Sequence, residues 1–350
     1  MKKRVLAVIV AGVFVLGTLA GCGAKKDESA PAGTEEATPA AEGTEEDAQT
    51  EASDEAMNIS VILKTTASEY WGYVLAGAEA YAADHPNVTV EVQGAASETS
   101  YDEQLNIIET NLASGKFNAF VIAPLQADMV TTTIAGQTAP IIALDTKIEA
   151  PEILSFVGTG NEEAAKTGGL AAVEAAKAAG ATELNAIAIT GVQGDSTAEA
   201  RLAGYKAGIE EAGGTFLADQ TQYADAVADK AFASMEAIMQ NHPNGVAIIV
   251  CNNDDMAMAA AMAAKGNDAF ADTIFVGFDG IQSACNAILA GEQTMSVAQS
   301  AYDMGYKSVE AAVKALQGEK LDTFIDSGSK VITEDNAQEQ LEALKGYLGE

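Results

Sequence analysis

The sequence predicts an α/β protein made of two doubly wound, parallel-sheet lobes with a cleft between them. Three observations predict it. Short apolar runs alternate with Ala-rich amphipathic stretches along residues 57–350, the pattern of repeated βαβ units. That stretch is longer than one hydrophobic core usually serves, so two lobes are expected. A strand, a polar elbow, a helix and a strand ending in Asp also occur twice. VIAPLQADMV (121–130) leads to Asp145, 22 residues after Ala123, and IVCNNDDMAM (249–258) leads to Asp279, 28 residues after Cys251.

The strand candidates are 58–64, 88–93, 118–123, 140–145, 184–190, 215–220, 246–251 and 273–278, each a short apolar run bounded by polar or turn residues. Helices are expected near 70–84, 101–115, 127–137, 161–180, 197–213, 226–241, 254–266, 281–290, 301–318 and 335–348. In such folds ligands sit beyond the carboxyl ends of the strands, where Asp145, Asn253 and Asp279 fall.

The first residues carry export signals. Lys2, Lys3 and Arg4 precede the apolar run VLAVIVAGVFVLGTLAG, too short and Gly-rich for a spanning helix. Leu19, Ala20, Gly21 and Cys22 resemble a lipobox, in which a peptidase cuts before a cysteine that carries lipid. Residues 1–21 are thus expected to be a signal peptide. The lipid on Cys22 would hold the chain on the extracytoplasmic face of the cell membrane without a spanning helix.

From Gly23 to Ala56 there are eleven acids, two lysines, no aromatic residue and no aliphatic side chain larger than alanine. Such a segment cannot bury enough apolar surface to fold, and reads as a disordered tether. As a flexible coil it spans roughly 30–35 Å.

The chain's net charge of −32 leaves about −26 on residues 57–350 once +3 at the start and −9 in the tether are set aside. That balance argues against nucleic acid as a partner. Cys251 and Cys285 both lie in elements expected to be buried, where a plain apolar role is simplest.

The stretch IIVCNNDDMAMAAAMAA poses the sharpest question, because Cys251, Asn252, Asn253, Asp254 and Asp255 end a buried strand. They could ligate a metal, act as acids, cap a helix or contact a ligand. Asp254 and Asp255 are consecutive on a starting helix and point in different directions, so a shared cation would need ligands the sequence does not supply. Acids favourable to the helix dipole are the simpler reading.

In order and spacing, several segments together resemble the type I periplasmic binding proteins, in the ribose- and galactose-binding branch of ABC importers. They are NISVILKTTASEYW, APLQADMV, PIIALD, FVGTGNEEAAKTGG, ITGVQGDSTAEARLAGY, CNNDDMAMAA, VGFDG and TMSVAQS. The resemblance covers essentially all of 57–350. It implies three interlobe crossings, near 159–161, 299–301 and 326–327. One lobe would then comprise 57–159 with 300–326 and the other 160–299 with 327–350, joined by a three-strand hinge.

It also implies roles for matched residues. Tyr70 and Trp71 match an aromatic pair in which one ring stacks on a sugar's apolar face; core packing is the alternative. Asp145 and Asp279 match carboxylates that accept hydroxyl hydrogens, or they cap the following helices. Arg201 matches an arginine on sugar oxygens, and Asn253 and Gln299 match amides that donate and accept together. Tyr223 could give a second stacking ring, although the family's aromatic position aligns better with Ala226. Glu69 stands where some hexose binders carry an acid. Glu199 and Thr146 stand where ribose-type members carry arginine, which weakens a ribose assignment. Arg201 and Asp279 are expected to be needed for ligand and dispensable for the ligand-free fold.

No phosphate loop, CxxC or HExxH motif is present, and His85 and His242 each stand in a His-Pro-Asn turn. No enzyme activity, cofactor or metal is therefore expected. The implied function is capture of a small carbohydrate by hinge closure, by a monomer that delivers it to an ABC permease. The rival of the same fold is a sensory receptor for an autoinducer or nucleoside. A DNA-binding regulator would carry a headpiece where this chain has its signal and tether.

Overall fold

The computed structural model describes residues 55–350. The signal segment, Cys22 and all but the end of the tether lie outside the described residues.

The chain first builds β1 (Met57–Thr65), α1 (Glu69–Asp84), β2 (Val88–Ala95), α2 (Tyr101–Ala113), β3 (Ala119–Ile122), α3 (Ala127–Ile134), β4 (Ile141–Leu144) and β5 (Ile153–Gly158). Next come α4 (Asn161–Ala178), β6 (Asn185–Thr190), α5 (Ser196–Glu211), β7 (Thr215–Phe216), β8 (Gln222–Tyr223), α6 (Ala228–Asn241) and β9 (Ile248–Cys251). The rest comprises α7 (Asp254–Ala264), β10 (Ile274–Asp279), α8 (Gln282–Leu289), β11 (Met295–Gln299), α9 (Ala301–Leu316), β12 (Phe324–Asp326), β13 (Ser329–Ile332) and α10 (Ala337–Leu348).

Two sheets result, in strand orders β12-β5-β4-β3-β1-β2 and β13-β11-β10-β9-β6-β7, with β8 also paired to β6. Helices cover both faces, so the inner strands read as continuous apolar runs. Ile59, Val61 and Leu63 of β1 pack into one core, and Ile62 faces a second with Ile122 and Ile141. In the second sheet Ala186, Val250 and Val276 face one core, and Ile187, Ile249 and Phe275 the other.

The order reverses beside β1 in the first sheet and beside β6 in the second. These reversals open the crevices where residues after β1, β3, β6 and β9 can meet a ligand. The chain passes between the sheets after β5, after β11 and between β12 and β13.

Several elements differ from the sequence reading, among them the two-residue β8. The candidate 215–220 forms only two strand residues, paired with Asn185 and Ala186, before a 3₁₀ turn at Ala218–Gln220. The polar run ADQTQ has no apolar alternation to continue the ladder. Strand β5 was not expected; its central Ser155 breaks the apolar run, and the buried hydroxyl donates to the Asp322 carbonyl at 2.7 Å. Strands β12 and β13 are three and four residues long and mostly exposed, too short for a period to register. The last of these, β13, pairs antiparallel with β11, an exception at the edge of an otherwise parallel sheet.

Cys251 and Cys285 are both buried and unpaired. Burial pushes the Cys285 thiol up to about 12 and raises Cys251 further, so both are inert apolar fillers at neutral pH.

Gly277 in the middle of β10 is dictated by a neighbour. A Cβ there would lie 2.0 Å from Oδ1 of Asp254, whose side chain is fully buried against the strand. Gly277→Ala is expected to lower unfolding free energy by about 1–3 kcal/mol through overpacking. The check is a shift of the urea midpoint at unchanged slope.

Candidate functional site

A narrow cavity of about 60 Å³ lies between the strand ends of the two sheets, lined by polar groups from both. Its floor in the first lobe begins with Lys64 near the end of β1. The ammonium is buried and lies 3.8 Å from Oδ2 of Asp145 and 3.3 Å from Oδ2 of Asp195. Burial alone would lower the Lys64 pKa, but Asp195 and then Asp145 outweigh it and raise it.

Asp145 follows β4 with φ +61°, a left-handed conformation that few side chains adopt. Its Oδ1 accepts the Tyr70 hydroxyl at 2.9 Å and its Oδ2 accepts Thr146 Oγ1 at 2.9 Å. The Tyr70 and Trp71 rings meet edge to face at 5.1 Å, and Trp71 donates its indole N–H to Glu98 at 3.0 Å.

The second lobe supplies the opposite wall. Asp195 caps α5 by accepting the Ala198 amide at 2.8 Å, which leaves its other oxygen for Lys64. Two turns in, Arg201 is also buried. Its Nε donates to Asn161 Oδ1 at 2.8 Å, one terminal nitrogen donates to the Asn252 carbonyl at 2.7 Å, and the guanidinium lies 3.8 Å from the Phe278 ring centroid. The same terminal nitrogen stands 3.6 Å from Asp279 Oδ1.

Asp279 ends β10 with φ +115°, a strained backbone for any side chain. The turn after it is held by Asp254 Oδ2, which accepts the Gly280 and Ile281 amides at 2.7 and 3.1 Å. Burial pushes Asp254 up to about 7 against these donors. Burial also raises Asp279 well above the ordinary carboxylate range, although Arg201 opposes it.

Gln299, at the end of β11, donates Nε2–H to Asp279 Oδ1 at 2.7 Å. Its own Oε1 is buried and has no hydrogen-bond partner. Asn253 caps α7 by accepting the Met256 amide at 2.9 Å, and also lines the cavity. So the cluster in IIVCNNDDMAMAAAMAA resolves into a cap, a carbonyl for Arg201 and a buried strut at Asp254. Among the described residues no group of side chains is arranged to hold a metal ion.

Tyr70, Trp71, Asp145, Arg201, Asn253, Asp279 and Gln299 are thus brought to one cavity. Tyr223 is not: it is 41% exposed and away from the lining, where Ala226 stands instead. Glu69 also lies outside the lining. Its carboxylate accepts the Tyr73 hydroxyl at 2.7 Å and the Ser283 amide at 3.2 Å. Glu199 is exposed and turned toward the Gly194 amide.

Sequence reasoning missed Lys64, Glu98, Asn161 and Asp195. The signal at Lys64 was legible, since a lone cation closing an apolar strand resembles the strand-ending Asp145 and Asp279. Asp195 stands at the start of DSTAEA, where it reads only as a helix cap. Glu98 and Asn161 carry no local signal.

The profile of the family described as "Periplasmic binding protein domain" matches residues 59–320. The chain belongs to that family. It is 29% identical over 275 residues to the D-allose-binding periplasmic protein of Escherichia coli, covering 76% of this chain and 86% of that one. Against the D-ribose/D-allose-binding protein of Pseudomonas aeruginosa the identity is 26%, covering 75% and 82%. A carbohydrate transporter solute-binding protein of Agrobacterium radiobacter, solved in complex with D-arabinose, superposes with TM-score 0.74 at 28% identity, covering 83% of this chain and 98% of that chain.

In this periplasmic binding protein Arg201 does more than line the cavity: it is 6% exposed, stands 3.6 Å from Asp279 Oδ1 and ties α5 to α4 and to the Asn252 carbonyl, so the ligand-free fold is expected to depend on it. Removing one partner of a buried pair typically costs about 3–5 kcal/mol. Arg201→Ala is therefore expected to lower ligand-free stability by about that amount, measured by chemical denaturation.

Proposed function

We propose that the chain captures a small neutral carbohydrate between its lobes and delivers it to an ABC permease while held at the membrane by lipid on Cys22. The observation that carries the reading is the lining itself. Tyr70 and Trp71 bring aromatic rings to the lining, Trp71 from within the core at 2% exposure, while Asp145, Asp279, Asn253 and Gln299 bring acceptors and amides from both lobes to the same cavity. Ring C–H groups suit an aromatic face, and hydroxyls suit planar groups that accept and donate.

The unpartnered Gln299 Oε1 is an acceptor for which a ligand hydroxyl is a natural donor. Asp145, Asp195, Asp279 and Glu98 face only Lys64 and Arg201, which disfavours phosphorylated or acidic sugars. The relatives named for D-allose, D-ribose and D-arabinose support the same class. Delivery to a permease, like the lipid anchor, rests on the resemblance and on the motif around Cys22.

Binding by residues of both lobes makes closure the mechanism, since only the closed arrangement offers the full contact set. The test is a thermal-shift screen of the chain against D-allose, D-ribose, D-arabinose, D-galactose and myo-inositol, with nucleosides and a sugar phosphate beside them. A neutral sugar at about a hundred times its Kd is expected to add roughly 2.7 kcal/mol of stability. The gain should disappear in Trp71→Ala at the same concentration. Stabilisation by nucleosides alone would favour the sensory reading, and by the sugar phosphate alone would contradict the charge argument.

A further inference from the structure

Outside the cavity, a second set of polar contacts joins the lobes. Glu69 is the first residue of α1, in the first lobe, and its carboxylate reaches the start of α8, in the second. It accepts the Ser283 amide at 3.2 Å and the Ser283 hydroxyl, and its Oε1 also accepts the Tyr73 hydroxyl at 2.7 Å. Tyr73, one helical turn along α1, is itself 1% exposed and accepts the Gln282 amide at 3.3 Å.

Gln282 and Ser283 are the first two residues of α8, so their amides have no acceptor within their own helix. Ile281, the cap position, provides no side-chain acceptor. Both orphan donors are satisfied only from the other lobe, by a carboxylate placed favourably at a helix N-terminus. Asp255 at the start of α7 opposes this, its carboxyl raised by burial and by the neighbouring Glu69.

We propose that Glu69, with Tyr73, is a closure-positioning residue that sets carbohydrate affinity by capping α8 across the cleft, without touching the ligand. It stabilises the closed lobes whatever sugar they enclose. It therefore slows release of every ligand by the same factor, and leaves discrimination between sugars to the cavity. The affinity consequence rests on the carbohydrate reading above; the capping itself does not.

The test combines residue-resolved hydrogen exchange with binding kinetics on the full chain and on Glu69→Ala, Ser283→Ala and the double variant, using D-allose and D-ribose as probes. The Gln282 and Ser283 amides are expected to be protected in the wild type, and Ser283 to lose protection in Glu69→Ala. Dissociation of either sugar should quicken roughly five- to thirty-fold in Glu69→Ala, the range of a charge-assisted hydrogen bond at a half-exposed site. The association rate and the D-allose to D-ribose affinity ratio should not change. The double variant should lose no more than Glu69→Ala alone.

Unprotected Gln282 and Ser283 amides in the wild type would overturn the proposal. So would unchanged dissociation in Glu69→Ala, a changed affinity ratio, or losses that multiply in the double variant. If neither sugar binds the wild type, the carbohydrate reading fails for these ligands while the exchange result still decides the capping.

Discussion

A buried ammonium is the constraint around which the two lobes are arranged. Lys64 is 6% exposed, and a cation so placed is costly unless it is paired and hydrogen-bonded. Its partners come from different lobes: Asp145 beside it in the first, and Asp195 across the cleft in the second. The pairing is therefore complete only when the lobes are together. Thr146 and Thr197 add a hydroxyl contact at 3.0 Å beside it, again one residue from each lobe. Lys64, Asp145 and Asp195 also line the cavity, so the groups that hold the lobes together are among those a ligand would meet.

The second lobe solves a related problem with a carboxyl. Asp279 must stand at the end of β10 at φ +115° and face Gln299 and Arg201, a strained position costing of order 1–3 kcal/mol. Asp254 offsets that strain by binding the next two amides, and Gln293 donates to it at 3.2 Å from behind. Asp145, the corresponding strand-end acid of the first lobe, likewise has positive φ. The two acids that repeat in the sequence thus share a backbone conformation as well as a position, and both strained turns point at one cavity.

Much of this was legible in residue order. Alternating apolar runs and Ala-rich helices marked the strands whose both faces are covered, because burial on two faces leaves a continuous apolar signature. The repeated strand-end acids marked the two facing crevices. Short strands at sheet edges were not legible, since β12 and β13 are held by register with β5 and β11 rather than by their own composition. Lys64 and Asp195 escaped for a different reason: their meaning lies in a pairing across 131 positions of sequence. Asp254 read as a dipole-friendly helix acid, and only its burial against Gly277 reveals the strut. Tyr223 looked like a stacking ring by type, but the chain turns it to solvent and presents Ala226.

If closure about the Lys64 network is what encloses the ligand, the change in overall dimensions on binding is the most direct observable. Small-angle scattering of the chain should be recorded with and without a saturating sugar whose binding is verified by calorimetry. Closure requires a smaller radius of gyration with the sugar present, and a smaller contraction in Lys64→Met, which leaves Asp145 and Asp195 facing each other unpaired. A bound sugar with no contraction in the wild type, or an undiminished contraction in Lys64→Met, would contradict the mechanism.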